Sequence, residues 1–99
     1  MTINSLEWKV VYSDNLKEDL FAQTNYATLT IYVSTQVNKQ NTKRSLMHEI
    51  VHAYCYSYGL VFFESFDREQ LCEFISHNIL NLTNLYNKAL EELELYEQK

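Results

Sequence analysis

The stretch Ser45-Leu46-Met47-His48-Glu49-Ile50-Val51-His52-Ala53-Tyr54 sets two histidines four residues apart, with a glutamate directly after the first. Around it Leu46, Met47, Ile50, Val51, Ala53, Tyr54 and Tyr58 recur at three- and four-residue intervals. That spacing predicts a helix with one apolar face. Asn41 or Thr42 can cap its start, and Gly59 stands where a left-handed C-terminal cap belongs. The histidine pair therefore falls inside a helix of about four turns.

On a helix, positions four apart share a face, so His48 and His52 can aim their imidazoles at a common point. Zinc accepts neutral imidazole nitrogen at about 2.0–2.1 Å, and a pair at this spacing makes a two-point clamp. Glu49 points elsewhere and is the candidate general base: zinc makes a bound water more acidic, and a carboxylate beside that water can take its proton and return it to a leaving amine.

A third ligand has to come from elsewhere, and Glu69, Glu73 and His77 lie four and four apart downstream. Asp67 with Gln70 has the form of a capping box, so a second helix should begin near Arg68 and turn Leu71, Cys72, Phe74, Ile75 and Ile79 inward. All three could point at the first helix; Glu69 ranks first as metal ligand, Glu73 as the outer carboxylate that accepts a ligating histidine's other ring N–H, and His77 third, a ranking that rests partly on this geometry and partly on the resemblance given below. A tetrahedral intermediate also needs a donor aimed at its oxyanion. His77, a catalytic candidate alongside Glu49, shares that role with Tyr54, Tyr56 and Tyr58.

Upstream, Leu6, Trp8, Val10 and Tyr12 alternate with Glu7, Lys9 and Val11, the period of a strand with one buried face. Phe21–Tyr26 and Thr28–Ser34 are rich in Thr, Tyr, Ile and Val, with Leu29, Ile31 and Val33 inward, and a polar turn at Gln23–Asn25 can join them as a hairpin. Asp14–Leu20 reads as a short helix or a turn. Downstream of the second helix, Leu82, Leu85, Tyr86, Ala89, Leu90 and Leu93 keep helical spacing, with a bend near Asn81–Asn84 and an acidic end, Glu91–Glu97, towards solvent. The expected class is α+β: a small, mostly antiparallel sheet of about three strands, the histidine-bearing helix, and one or two further C-terminal helices.

Ninety-nine residues suffice for one domain, residues 1–99, but not two. Eight Lys and Arg against 13 Asp and Glu leave a net charge of -5, with no basic stripe, so no direct nucleic-acid partner is expected. No membrane span and no leader pattern is seen, which reads as a cytoplasmic protein. Two cysteines, Cys55 and Cys72, are too few for a disulfide framework and are expected to pack as small core hydrophobes. One glycine and no proline rule out a Gly-rich phosphate loop or a flexible linker.

The segment Ser45–Tyr54, followed by Glu69-Gln70-Leu71-Cys72-Glu73-Phe74, resembles the gluzincin metallopeptidases, and among them the very small phage- and mobile-element-encoded members and the ImmA/IrrE-like peptidases. The resemblance spans about residues 6–80 and is concentrated in these two segments. It implies a zincin-like fold, His48, His52 and Glu69 as zinc ligands, Glu49 as general base, and Glu73 where the family commonly has Asp. It also implies a phage protein acting on a peptide or protein substrate, with Leu29–Ser34 as the active-site edge strand beside which an extended peptide adds. Val51 stands where ImmA/IrrE-like proteins usually carry Gly, and their Glu-Ala-Asn signature is absent around Glu69. The alternative expectation is a non-catalytic module in which zinc supplies folding free energy and the acidic tail meets a partner.

Overall fold

In the computed structural model, which describes residues 1–14, 16, 21–59 and 67–98, five short strands precede two helices. The coarse α+β expectation holds. Most of the Asp14–Leu20 segment and the Leu60–Phe63 connector lie outside the described residues.

Strands β1 (Thr2–Ile3) and β2 (Leu6–Glu7) form a two-stranded antiparallel hairpin. Its two turn residues, Asn4 and Ser5, both have positive φ, 47° and 70°, the signature of the turn whose twist matches a right-handed hairpin. Trp8 follows as a break, so the stretch expected to be one strand is divided between β2 and β3 (Lys9–Ser13). The cause is visible at Trp8 itself: the indole is 1% exposed and donates from Nε1 to Ser57 Oγ at 2.9 Å. Asn4 Nδ2 donates to Ser57 O at 2.9 Å, so the N-terminal hairpin is fastened to the C-terminal end of the first helix.

The main sheet has three strands in the order β3-β5-β4, with β4 at Ala22–Asn25 and β5 at Thr30–Ser34. The hairpin pairing of β4 with β5 is antiparallel, as expected, but Gln23–Asn25 belongs to the strand and the turn comes after it. There Asn25 Oδ1 accepts from Ala27 N and Thr28 N, an Asx turn, and Leu29 takes φ 50° to rejoin the ladder. Two further expectations are corrected. β3 pairs with β5 in parallel, so the sheet is mixed rather than mostly antiparallel. β5 is consequently the central strand, bonded on both sides, and no peptide can add beside it; the edge strands are β3 and β4.

Cross-strand register places Val10, Ile31 and Thr24 in one row and Tyr12, Val33 and Ala22 in the next. Both rows face the helices: Thr24 reaches Glu49, and Tyr12 Oη donates to Ala89 O at 2.6 Å. Helix α1 (Lys39–Ser57, 19 residues) starts earlier than expected, because Asn38 rather than Asn41 or Thr42 caps it, accepting from Asn41 N at 2.9 Å. Thr42 is instead buried and bonds to Ser34 O and Asn38 O. The C-terminal end follows expectation, with Gly59 at φ 75° donating to Tyr56 O.

Helix α2 (Arg68–Glu97) is one continuous 30-residue helix, the single-helix form of the one or two expected, and its Asp67/Gln70 capping box is formed in both directions. It runs antiparallel to α1: Lys39 pairs with Glu97 at 3.3 Å at one end, and Tyr54 Oη donates to Asn78 Oδ1 at 2.6 Å at the other. The inward stripe of α2 passes through Phe74, Leu82, Ala89 and Leu93. Cys72, Ile75 and Ile79, expected inward, are exposed, because the turn facing Tyr54 is given to Phe74 and Asn78 and the isoleucines lie round the side of the helix. Trp8, Ile31, Val33, Leu46, Ile50 and Ala53 form the centre of the core, and Leu93 is fully buried near the end of α2. Among the described residues no helix is long and apolar enough to cross a membrane.

Candidate metal centre

Helix geometry brings the two histidines together as their spacing requires. His48 and His52 are exposed on α1, and their Nε2 atoms lie 3.1 Å apart, with ring centroids 4.8 Å apart. Two nitrogens bound to one tetrahedral ion at about 2.0–2.1 Å are separated by about 3.3 Å, so this pair needs only a slight opening to clamp a cation.

Glu49 lies about 100° further round the helix, because successive helical residues step by that angle, and it faces the sheet rather than solvent. It is 8% exposed. Its Oε2 accepts a hydrogen bond from Thr24 Oγ1 on β4, while Oε1 takes none from the described residues. The carboxylate next in sequence to His48 is thus held at one oxygen, with no hydrogen bond from the described residues at the other.

The wall next to Glu49 is aromatic. Tyr26, just past β4, stacks on Tyr56 at 4.8 Å between centroids and 28° between planes, and Trp8 meets both rings edge-on. Tyr56 is one helical turn beyond His52. Partial burial, then the nearby Glu49 charge, then Cys55, raise the Tyr26 phenol above its usual range. Cys55 is pushed up to about 11 by burial, so its thiol is uncharged at neutral pH. Its packing role is as expected, whereas Cys72 is exposed and takes no part in the core.

The second group of candidates lies on α2. Glu69, Glu73 and His77 are exposed and, with Gln70, Phe74 and Asn78, line an open groove of about 410 Å³. His77 Nε2 lies 3.1 Å from Glu73 Oε2 on the solvent side of the helix. The structure brings Glu73 and His77 together and His48 and His52 together. Among the described residues, however, no three His, Cys, Asp or Glu side chains converge closely enough to hold a metal ion.

Of the tyrosines considered for the oxyanion, Tyr54 directs its hydroxyl to Asn78, Tyr56 is packed into the aromatic wall, and Tyr58 lies tilted against Tyr54 at 4.8 Å. Thr24 and Tyr26 were not among the sequence candidates. No short-range signal marks them: they reach the site only because the hairpin lays β4 against α1. No protein-family model, curated protein or solved structure matches this chain.

Proposed function

We propose that this chain is a zinc-dependent peptidase of minimal gluzincin type, with a zincin-like arrangement of sheet and helix. The observation that carries the reading is on α1: two imidazole nitrogens 3.1 Å apart on its exposed face and, at the residue following the first histidine, a buried carboxylate hydrogen-bonded through one oxygen. His48 and His52 supply two donors of the right chemistry, and Glu69 is the candidate for the third protein ligand, although among the described residues it does not converge with the pair. Bound there, zinc supplies Lewis-acid polarisation and lowers the pKa of water. Glu49 takes the proton of the attacking water and delivers it to the leaving amine. Glu73, already within 3.1 Å of His77, acts as an outer carboxylate that orients an imidazole, and His77 is the candidate oxyanion donor. The strand nearest the base is β4, an edge strand of the sheet, so a peptide or protein substrate meets the site on that side. The partner is thus a polypeptide and not a nucleic acid, in keeping with a net charge of -5.

The test is metal content by elemental analysis on protein purified without added metal or chelator, beside His48→Ala and Glu69→Ala, followed by a screen of a fluorogenic peptide library. About one zinc per chain, lost in both variants, with cleavage abolished by Glu49→Gln, is expected. Absence of zinc under metal-replete conditions, or cleavage untouched by Glu49→Gln, would overturn the reading.

A further inference from the structure

We propose that Thr24 is a positioning residue for Glu49, an assignment that rests on the peptidase reading: its hydroxyl, donated to Oε2, fixes the base so that Oε1 is the oxygen presented to water. A glutamate on a helix has three side-chain torsions, and its carboxylate has no preferred orientation of its own. Thr24 has almost none of that freedom. It lies within β4, opposite Ile31 in an antiparallel ladder, and β-branching restricts its χ1. The rigid partner therefore dictates the position of the mobile one.

Burial strengthens the argument. Glu49 is 8% exposed, so water cannot readily replace a lost donor, and an oxygen left without one in such a place carries a desolvation cost. With the Thr24 hydroxyl gone, the carboxylate gains by leaving the position that β4 fixes for it and turning to solvent, so Oε1 no longer has one defined position. Valine has nearly the shape of threonine, so Thr24→Val removes the donor while keeping the packing; Thr24→Ser keeps the donor and removes a methyl group. A purely structural contact would respond to shape, and a positioning contact to the hydroxyl.

The experiment uses the full chain in two measurements. Urea unfolding of the metal-free wild type, Thr24→Val, Glu49→Gln and the double variant tests the contact independently of catalysis. The unfolding equilibrium constants of the single variants should fail to multiply to that of the double variant by a factor of about 2 or more; simple multiplication would overturn the proposal. Steady-state kinetics on a peptide selected from the fluorogenic library tests the role. Thr24→Val should lose about 10–100-fold in kcat, the usual effect of removing a supporting partner, with KM little changed and zinc content equal to wild type, and Thr24→Ser should recover most of the loss. An active wild type with Thr24→Val at full kcat, or with Thr24→Ser as impaired as Thr24→Val, overturns the role of Thr24 alone. A wild type that cleaves no peptide while the unfolding cycle stays coupled overturns the peptidase reading and reduces Thr24 to a structural partner.

Discussion

Glu49 and His48 are neighbours in the chain, yet one is buried against β4 and the other faces solvent. That division makes their substitutions separable. On the proposed peptidase reading, Glu49→Gln keeps the shape but removes the proton acceptor, so kcat should fall by about 10²–10⁴-fold with zinc content equal to wild type by elemental analysis; His52→Ala should lose zinc. The cysteines divide in the same way. At pH 8 one thiol per chain, Cys72, should react rapidly with an aromatic disulfide reagent, and Cys72→Ser should abolish the fast phase, because the exposed thiol is accessible while Cys55 is buried and raised to about 11. The raised Cys55 value also has a sign. The folded state holds that proton more tightly than the unfolded chain, so its contribution to stability is complete below the unfolded thiol's pKa and is lost as pH climbs through about 11. Urea midpoints taken between neutral and alkaline pH should decline in that window, and less so in Cys55→Ala. At this scale the histidine motif was legible because His48, Glu49 and His52 are local to one helix. Thr24 and Tyr26 were not, since only a tertiary contact joins them to it.

The two helices were legible for reasons their ends make plain. Asp67 and Gln70 bond reciprocally across the first turn of α2, so Asp67→Ala should cost about 1 kcal/mol in urea unfolding. Gly59 terminates α1 at φ 75°, with nothing within 4 Å of where a Cβ would stand. Gly59→Ala should therefore cost about 1 kcal/mol through the backbone alone, and a larger loss would mean that the chain nearby had shifted. The start of α1 was misjudged because Asn38, Asn41 and Thr42 are all competent caps, and the choice is made by burial: Thr42 is engaged with Ser34 in the interior, leaving Asn38 at the surface to cap. On α2, apolar periodicity alone could not distinguish Phe74 from Ile75. The hydrogen bond between Tyr54 and Asn78 decides which turn points inward, and that is a relation between two helices.

Across the whole molecule, what the sequence conceals is strand order. Alternation identifies strands but says nothing of direction, and the parallel pairing of β3 with β5 joins residues about twenty positions apart around an intervening hairpin strand. The closure at the other end is similarly long-range. Leu93 near the C-terminus is fully buried and Ala89 O accepts from Tyr12 on β3, so the last turns of α2 complete the core. Leu93→Ala should lose about 2–5 kcal/mol, read as a lower urea midpoint.

Trp8 is the sole tryptophan, sealed at the junction of the N-terminal hairpin, the end of α1 and the aromatic wall beside Glu49. The chain thus carries its own fluorophore in the place most informative about it. Its emission should be blue in the native state and move to the red on unfolding. Because Tyr26 and Tyr56 lie edge-on to the indole, a ligand that displaces either ring should alter the intensity without labelling, so that occupancy of the site can be followed by light alone.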